Sequence, residues 1–115
     1  MPDSTRYCLA LDLVDDPEKI RAYEVHHRRV WPEILEKIRG SGITGMEIYR
    51  AGNRLFMILE TAPGFSLEKK AADDALDPVV REWETLMETY QQGLPFARPG
   101  EKWVLMAEIF NLKNA

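Results

Sequence analysis

Residues 44–61 read TGMEIYRAGNRLFMILET, and the Gly52-Asn53 pair at their centre divides them into two strand-forming runs. Such a dipeptide suits the positive backbone angles of a tight turn, so residues 44–51 and 54–61 are expected to pair as an antiparallel hairpin. Working towards the N-terminus, residues 7–14 alternate, with Tyr7, Leu9, Leu11 and Leu13 on one face and Cys8, Ala10, Asp12 and Val14 on the other. Both faces are largely apolar. A helix layer on one side and a further cover, in so short a chain a second subunit, would account for this.

Between that strand and the hairpin, Asp15, Asp16 and Pro17 open a helix that carries Ile20, Tyr23 and His27 down one side. Pro32 biases Trp31 away from helical geometry and lacks a backbone N–H, so a break is expected there. A second helix runs through Ile34, Leu35 and Ile38 and stops at Gly40, Ser41 and Gly42. Beyond the hairpin, residues 61–65 read as a loop and residues 66–75 as a short polar helix. Asp77-Pro78 then opens a helix with Val79, Val80, Trp83, Leu86, Met87 and Tyr90 on its apolar stripe. Residues 91–100, with two prolines and two glycines, read as an extended connection, and residues 102–112 as a final alternating strand.

The resulting order, β-α-β-β-α-β, predicts an α+β fold: a ferredoxin-like four-stranded antiparallel sheet with helices on one face, in one domain of residues 1–115. The other face would be too apolar for a monomer, so two sheets are expected to pack together as a homodimer, a dimeric α/β barrel.

Composition narrows the partners. With 15 basic and 19 acidic residues the net charge is -4, unlike the basic faces that bind phosphate backbones, so nucleic acid is not an expected partner. No apolar run approaches the ~20 residues of a membrane span, and residues 1–7 lack a secretory signal, which points to the cytoplasm. Cys8 is the only cysteine, so neither an intrachain disulfide nor a thiolate zinc cluster is available. His26 and His27 are about 100° apart on a helix and cannot share one metal. Asp12 is either a solvated edge residue or a polar group in a pocket.

Tyr23, His27 and Trp31 recur at four-residue intervals, which aligns a phenol, an imidazole and an indole on one helix face. A proton-transfer group between flat aromatic surfaces suits a ligand with apolar ring faces and hydroxyl edges, as a pyranose has. Trp31 reads as structural, packing at the break, and His26 as facing solvent or a subunit contact.

The segment His27-Arg28-Arg29-Val30-Trp31-Pro32-Glu33, with Tyr23 one turn earlier, resembles the L-rhamnose mutarotase family. Further points of likeness are the Ile48-Tyr49 strand with Gly52-Asn53-Arg54-Leu55-Phe56, the Trp83 helix ending Leu86-Met87, and Glu108-Ile109-Phe110. The resemblance implies a cofactor-free dimeric isomerase that equilibrates the anomers of a 6-deoxyhexose. His27 matches the family's catalytic histidine and Tyr23 its substrate-contacting tyrosine. Trp83 matches the first of two tryptophans on the last helix, where Glu84 stands in place of the second, and Met46 stands where the family has another sugar-contacting tyrosine. Arg28-Arg29 replaces an asparagine-proline pair. These departures bear on which sugar is read. Leu94-Pro95 and Pro99-Gly100-Glu101-Lys102-Trp103-Val104 look similar to members assigned to L-fucose.

Anomer exchange removes the proton of the anomeric hydroxyl and supplies one to the ring oxygen. His27, with an unperturbed pKa of about 6.5, is the group suited to that exchange, as proton donor to the ring oxygen. Tyr23, Glu84 or a water would serve the second transfer. Two other functions are compatible with the pattern: a cofactor-free small monooxygenase of the same sheet architecture, and a non-enzymatic dimeric sugar-binding module.

Overall fold

The computed structural model describes residues 5–115; residues 1–4, part of the polar opening noted above, lie outside the described residues. Strand β1 (Thr5–Leu13) is followed by helices α1 (Pro17–Arg28) and α2 (Pro32–Gly40), the hairpin β2 (Ile43–Ala51) and β3 (Arg54–Thr61), and helices α3 (Leu67–Leu76) and α4 (Pro78–Glu88). Two short strands, β4 (Gln91–Gln92) and β5 (Val104–Leu105), complete an antiparallel sheet of order β2-β3-β1-β4, with β5 also on β1. This is the α+β ferredoxin-like arrangement expected from the element order.

Local signals act where the sequence places them. Asp16 caps α1 by accepting from the Glu18 amide at 2.9 Å, and Pro17 occupies the first turn, where its missing N–H costs nothing. Residues 29–31 are the break before Pro32. Gly52 takes φ +60° while Asn53 keeps a negative φ, so the hairpin uses glycine at the first central position, as a type II′ turn requires. Asn53 has a second job. Its Nδ2 donates to the Leu13 carbonyl at 2.9 Å and its own carbonyl accepts from Leu13 N–H at 2.7 Å, tying the turn to the end of β1.

The alternating leucines of β1 and β3 point towards the helices and form the core. Leu13, Leu55, Tyr23 and Met87 make one buried cluster; Leu9, Ile43 and Leu59 make another. A bulge between Ile43 and Gly45 resets the alternation of β2, so that Ile43 and Met46, three residues apart, join the same cluster. On the opposite face the sheet carries Cys8 and Ala10 alongside Ile58 and Phe56.

The last strand departs from expectation. Only Val104 and Leu105 of residues 102–112 pair as a strand, with Ala10 and Leu9, and Met106 N–H adds one further bond to Cys8 O at 2.7 Å. The β1 edge beyond is taken by Gln91 and Gln92, opposite Leu13 and Asp12, from the stretch read as connection. The fourth strand is thus split in two, because Pro95 and Pro99 lack the N–H a continuous ladder needs. Residues 107–111 run unpaired, with Ile109 96% and Phe110 70% exposed.

Candidate active site

A cavity of about 720 Å³ lies between the helices and the sheet, and Tyr23, His27, Met46, Trp83 and Glu84 all line it. The five positions singled out from sequence therefore meet in one place, although they come from α1, β2 and α4. Gln91, Lys102 and Trp103 line it too. None of the three was singled out as a site residue: Lys102 and Trp103 entered only through the stretch likened to L-fucose members, and periodicity does not show which way residues of a split, proline-interrupted strand face.

His27 is held by its own helix. Its Nδ1 lies 2.9 Å from the Tyr23 carbonyl oxygen, which can only accept, so Nδ1 carries the proton. In the neutral ring the lone pair is then on Nε2, which has no hydrogen-bond partner among the described residues. Burial pushes the His27 pKa below its ordinary value of 6.5; the Tyr23 carbonyl opposes this and the neighbouring His26 adds to it. The Tyr23 ring packs on the imidazole with centroids 4.3 Å apart. Trp83 meets the imidazole edge-on at 5.8 Å, and Trp31 meets Trp83 edge-on at 5.1 Å. Trp31 thus acts as expected, bracing from the break the side chain that touches His27. It does so from outside α1, which ends at Arg28.

Glu84 lies partly buried on the cavity wall. Burial raises its carboxyl pKa, Lys102 works against that, Asp74 and Glu88 add to it, and Lys70 opposes it. The two lysines are themselves engaged: Lys70 with Asp74 and Lys102 with Glu88, each at 2.8 Å. The wall thus offers an imidazole, a carboxyl group and aromatic surfaces, enough to grip a polyhydroxylated ring and to move protons on it.

Two residues behave differently from their sequence reading. Asp12 is 5% exposed and away from the cavity, held by Arg54 through contacts of 2.8 and 3.2 Å, so it is neither a solvated edge residue nor a pocket group. His26 does not simply face solvent: its Nε2 is 3.2 Å from the Tyr90 hydroxyl. Among the described residues no group of three or more His, Cys, Asp or Glu side chains could hold a metal ion, and no helix is long and apolar enough to cross a membrane.

Residues 6–112 match the family described as L-rhamnose mutarotase. The chain is 43% identical to an L-fucose mutarotase of Xanthomonas campestris pv. campestris, covering 96% of this chain and 90% of that one. It is 30% identical to an L-rhamnose mutarotase of Burkholderia ambifaria, over 79% of this chain and 89% of the relative. A crystal structure of an L-rhamnose mutarotase from Formosa agariphila superimposes with a TM-score of 0.69 at 21% identity, covering 94% of this chain and 98% of the other, and so shares the fold. Matched along nearly all its length and sharing that architecture, the chain belongs to the L-rhamnose mutarotase family.

Proposed function

We propose that the protein is an aldose mutarotase, acting as one domain over residues 1–115, that interconverts the α and β anomers of a 6-deoxyhexose. The observation that carries this reading is His27: a half-buried imidazole with Nδ1 committed to the Tyr23 carbonyl, on the wall of a cavity it shares with Tyr23, Trp83 and Glu84. Neutral His27 takes the anomeric hydroxyl proton on Nε2. As imidazolium it gives that proton to the ring oxygen of the same carbon, while the bond from C1 to the ring oxygen breaks and the aldehyde C=O forms. Rotation about C1–C2 and the reverse sequence close the ring as the other anomer. The proton is returned, so no cofactor or metal enters the reading. Tyr23 and Glu84 bind hydroxyls, and Trp83 and Met46 cover the apolar ring face.

L-Fucose is the favoured substrate over L-rhamnose, supported by the 43% identity to an L-fucose mutarotase against 30% to an L-rhamnose mutarotase. NMR saturation exchange between anomers, run on L-fucose, L-rhamnose and D-ribose, tests reaction and preference together. Accelerated exchange, fastest for L-fucose, is the expected result. Binding without acceleration would make the protein a sugar-binding module instead.

The lowered pKa fixes the sign of the pH dependence. Since the neutral ring starts the cycle, acceleration is expected to be level from pH 7 to 8 and to fall as pH drops through the His27 pKa, with a midpoint below 6.5. A rate that instead declines above pH 7 would mean that imidazolium is the starting form.

A homodimer belongs to the same proposal. Cys8, Ala10, Phe56 and Ile58 leave an apolar sheet face without a helix layer, and Ile109 and Phe110 are further apolar side chains left exposed near the C-terminal end. Ile58→Glu, which sets a charge mid-face, is expected to shift the sedimentation mass from two chains to one. An unchanged mass would place the subunit contact elsewhere. A cytoplasmic setting is part of the reading, in keeping with a single cysteine that has no intrachain partner.

A further inference from the structure

We propose that the side-chain carbonyl of Gln91 is a specificity-determining group that accepts a hydrogen bond from one hydroxyl of the bound sugar, an inference that rests on the mutarotase reading above. Gln91 begins β4, three residues after α4 ends, and pairs with Leu13 across the sheet. By strand alternation its side chain shares Leu13's face, the one that carries the core, while exposed Gln92 shares that of Asp12. The fold has placed an amide where packing alone would ask for an apolar residue.

That amide has an unmet acceptor. Gln91 sits beside the Tyr23 phenol and works against the rise that burial imposes on the phenol pKa. Its Oε1 is buried without any partner, the one such side-chain nitrogen or oxygen among the described residues. A buried carbonyl oxygen has lost its water and regains nothing until a donor arrives, so its retention makes physical sense if a ligand supplies the donor. Gln91 lines the same cavity as His27, and Tyr23 touches both residues. Since a carbonyl only accepts, the complementary group on the ligand is an O–H, which a sugar presents around its ring edge.

Gln91→Met keeps length and removes the acceptor. Anomer exchange is measured for parent and variant with L-fucose and with its 2-deoxy, 3-deoxy and 4-deoxy forms. For one of these positions the parent is expected to lose about tenfold to hundredfold in kcat/KM on removal of the hydroxyl. Gln91→Met should show a comparable loss with intact L-fucose, mainly as a raised KM, and no further loss with that same deoxysugar. The unliganded variant should unfold within about 3 °C of the parent. Losses that multiply at every position, or an unliganded unfolding midpoint lowered by more than about 5 °C, would overturn the proposal and make Gln91 a structural residue. A parent that accelerates no aldose would defeat the mutarotase reading and this assignment with it, whereas an active parent with independent losses defeats the assignment alone.

Discussion

His27→Ala is expected to reduce the accelerated anomer exchange by a factor of about 10² to 10⁴, the usual worth of a positioned acid/base group. The variant should still fold. Among the described residues the His27 side chain hydrogen-bonds only to a carbonyl of its own helix, and that carbonyl still has the backbone N–H four residues on as a helical partner once the ring is gone. Three observations make the effect large. Nδ1 is committed, so the ring has one orientation and one tautomer; burial keeps it neutral at pH 7; and Tyr23 and Trp83 hold its flanks. Circular dichroism checks the fold and saturation exchange reads the rate. Added imidazole should restore part of the activity, because the deleted ring leaves room beside Trp83 for a free one. A His27→Ala protein as active as the parent would remove the proton path proposed here.

The hairpin and the α1 site were legible because each depends on a short-range rule. Gly52-Asn53 specifies a turn between two strand-forming runs, and Tyr23 and His27 lie one helical turn apart whatever the rest of the chain does. The meeting of α1 with Glu84 and Trp83 was implied by the likeness to the mutarotase family, and the ferredoxin-like order accounts for it physically by bringing both helices onto one sheet face. Long-range register was not legible. Residues 102–112 alternate well enough to look like a strand, yet only Val104 and Leu105 pair with β1, and Gln91 and Gln92 take the Leu13 end of that edge, where Lys102 would have faced Asp12. The role of Gln91 was hidden for the same reason, since nothing local marks a glutamine as facing inwards. Asp12 shows a different limit: an acid in a strand looks solvated until the facing residue is known, and here register sets Arg54 opposite it. In β2 the bulge at Thr44, which turns Met46 into the cavity wall, has no signature in the residues themselves.

Leu13→Ala is expected to cost about 2–5 kcal/mol of folding stability, a large share of the 5–15 kcal/mol typical of a domain. Leu13 is 0% exposed and packs with Tyr23, Leu55 and Met87, while its backbone is locked on both sides by Asn53 and the β4 pairing. With the strand fixed, neighbours cannot move in, so the deleted atoms leave a void rather than a collapsed core. Leu76→Ala provides the contrast: Leu76 is 83% exposed at the end of α3, and its loss should stay within about 0.5 kcal/mol. Urea unfolding measures both, and similar midpoints for the two variants would mean that the Leu13 cluster is not the core of the fold. The consequence reaches the chemistry, because Leu13 packs directly against Tyr23, whose carbonyl orients His27 and whose ring packs on it. In conditions where Leu13→Ala remains folded, kcat should therefore fall while the acid-limb midpoint rises towards 6.5, as looser packing readmits water around the imidazole. A purely structural leucine would lower stability and leave that midpoint where it is.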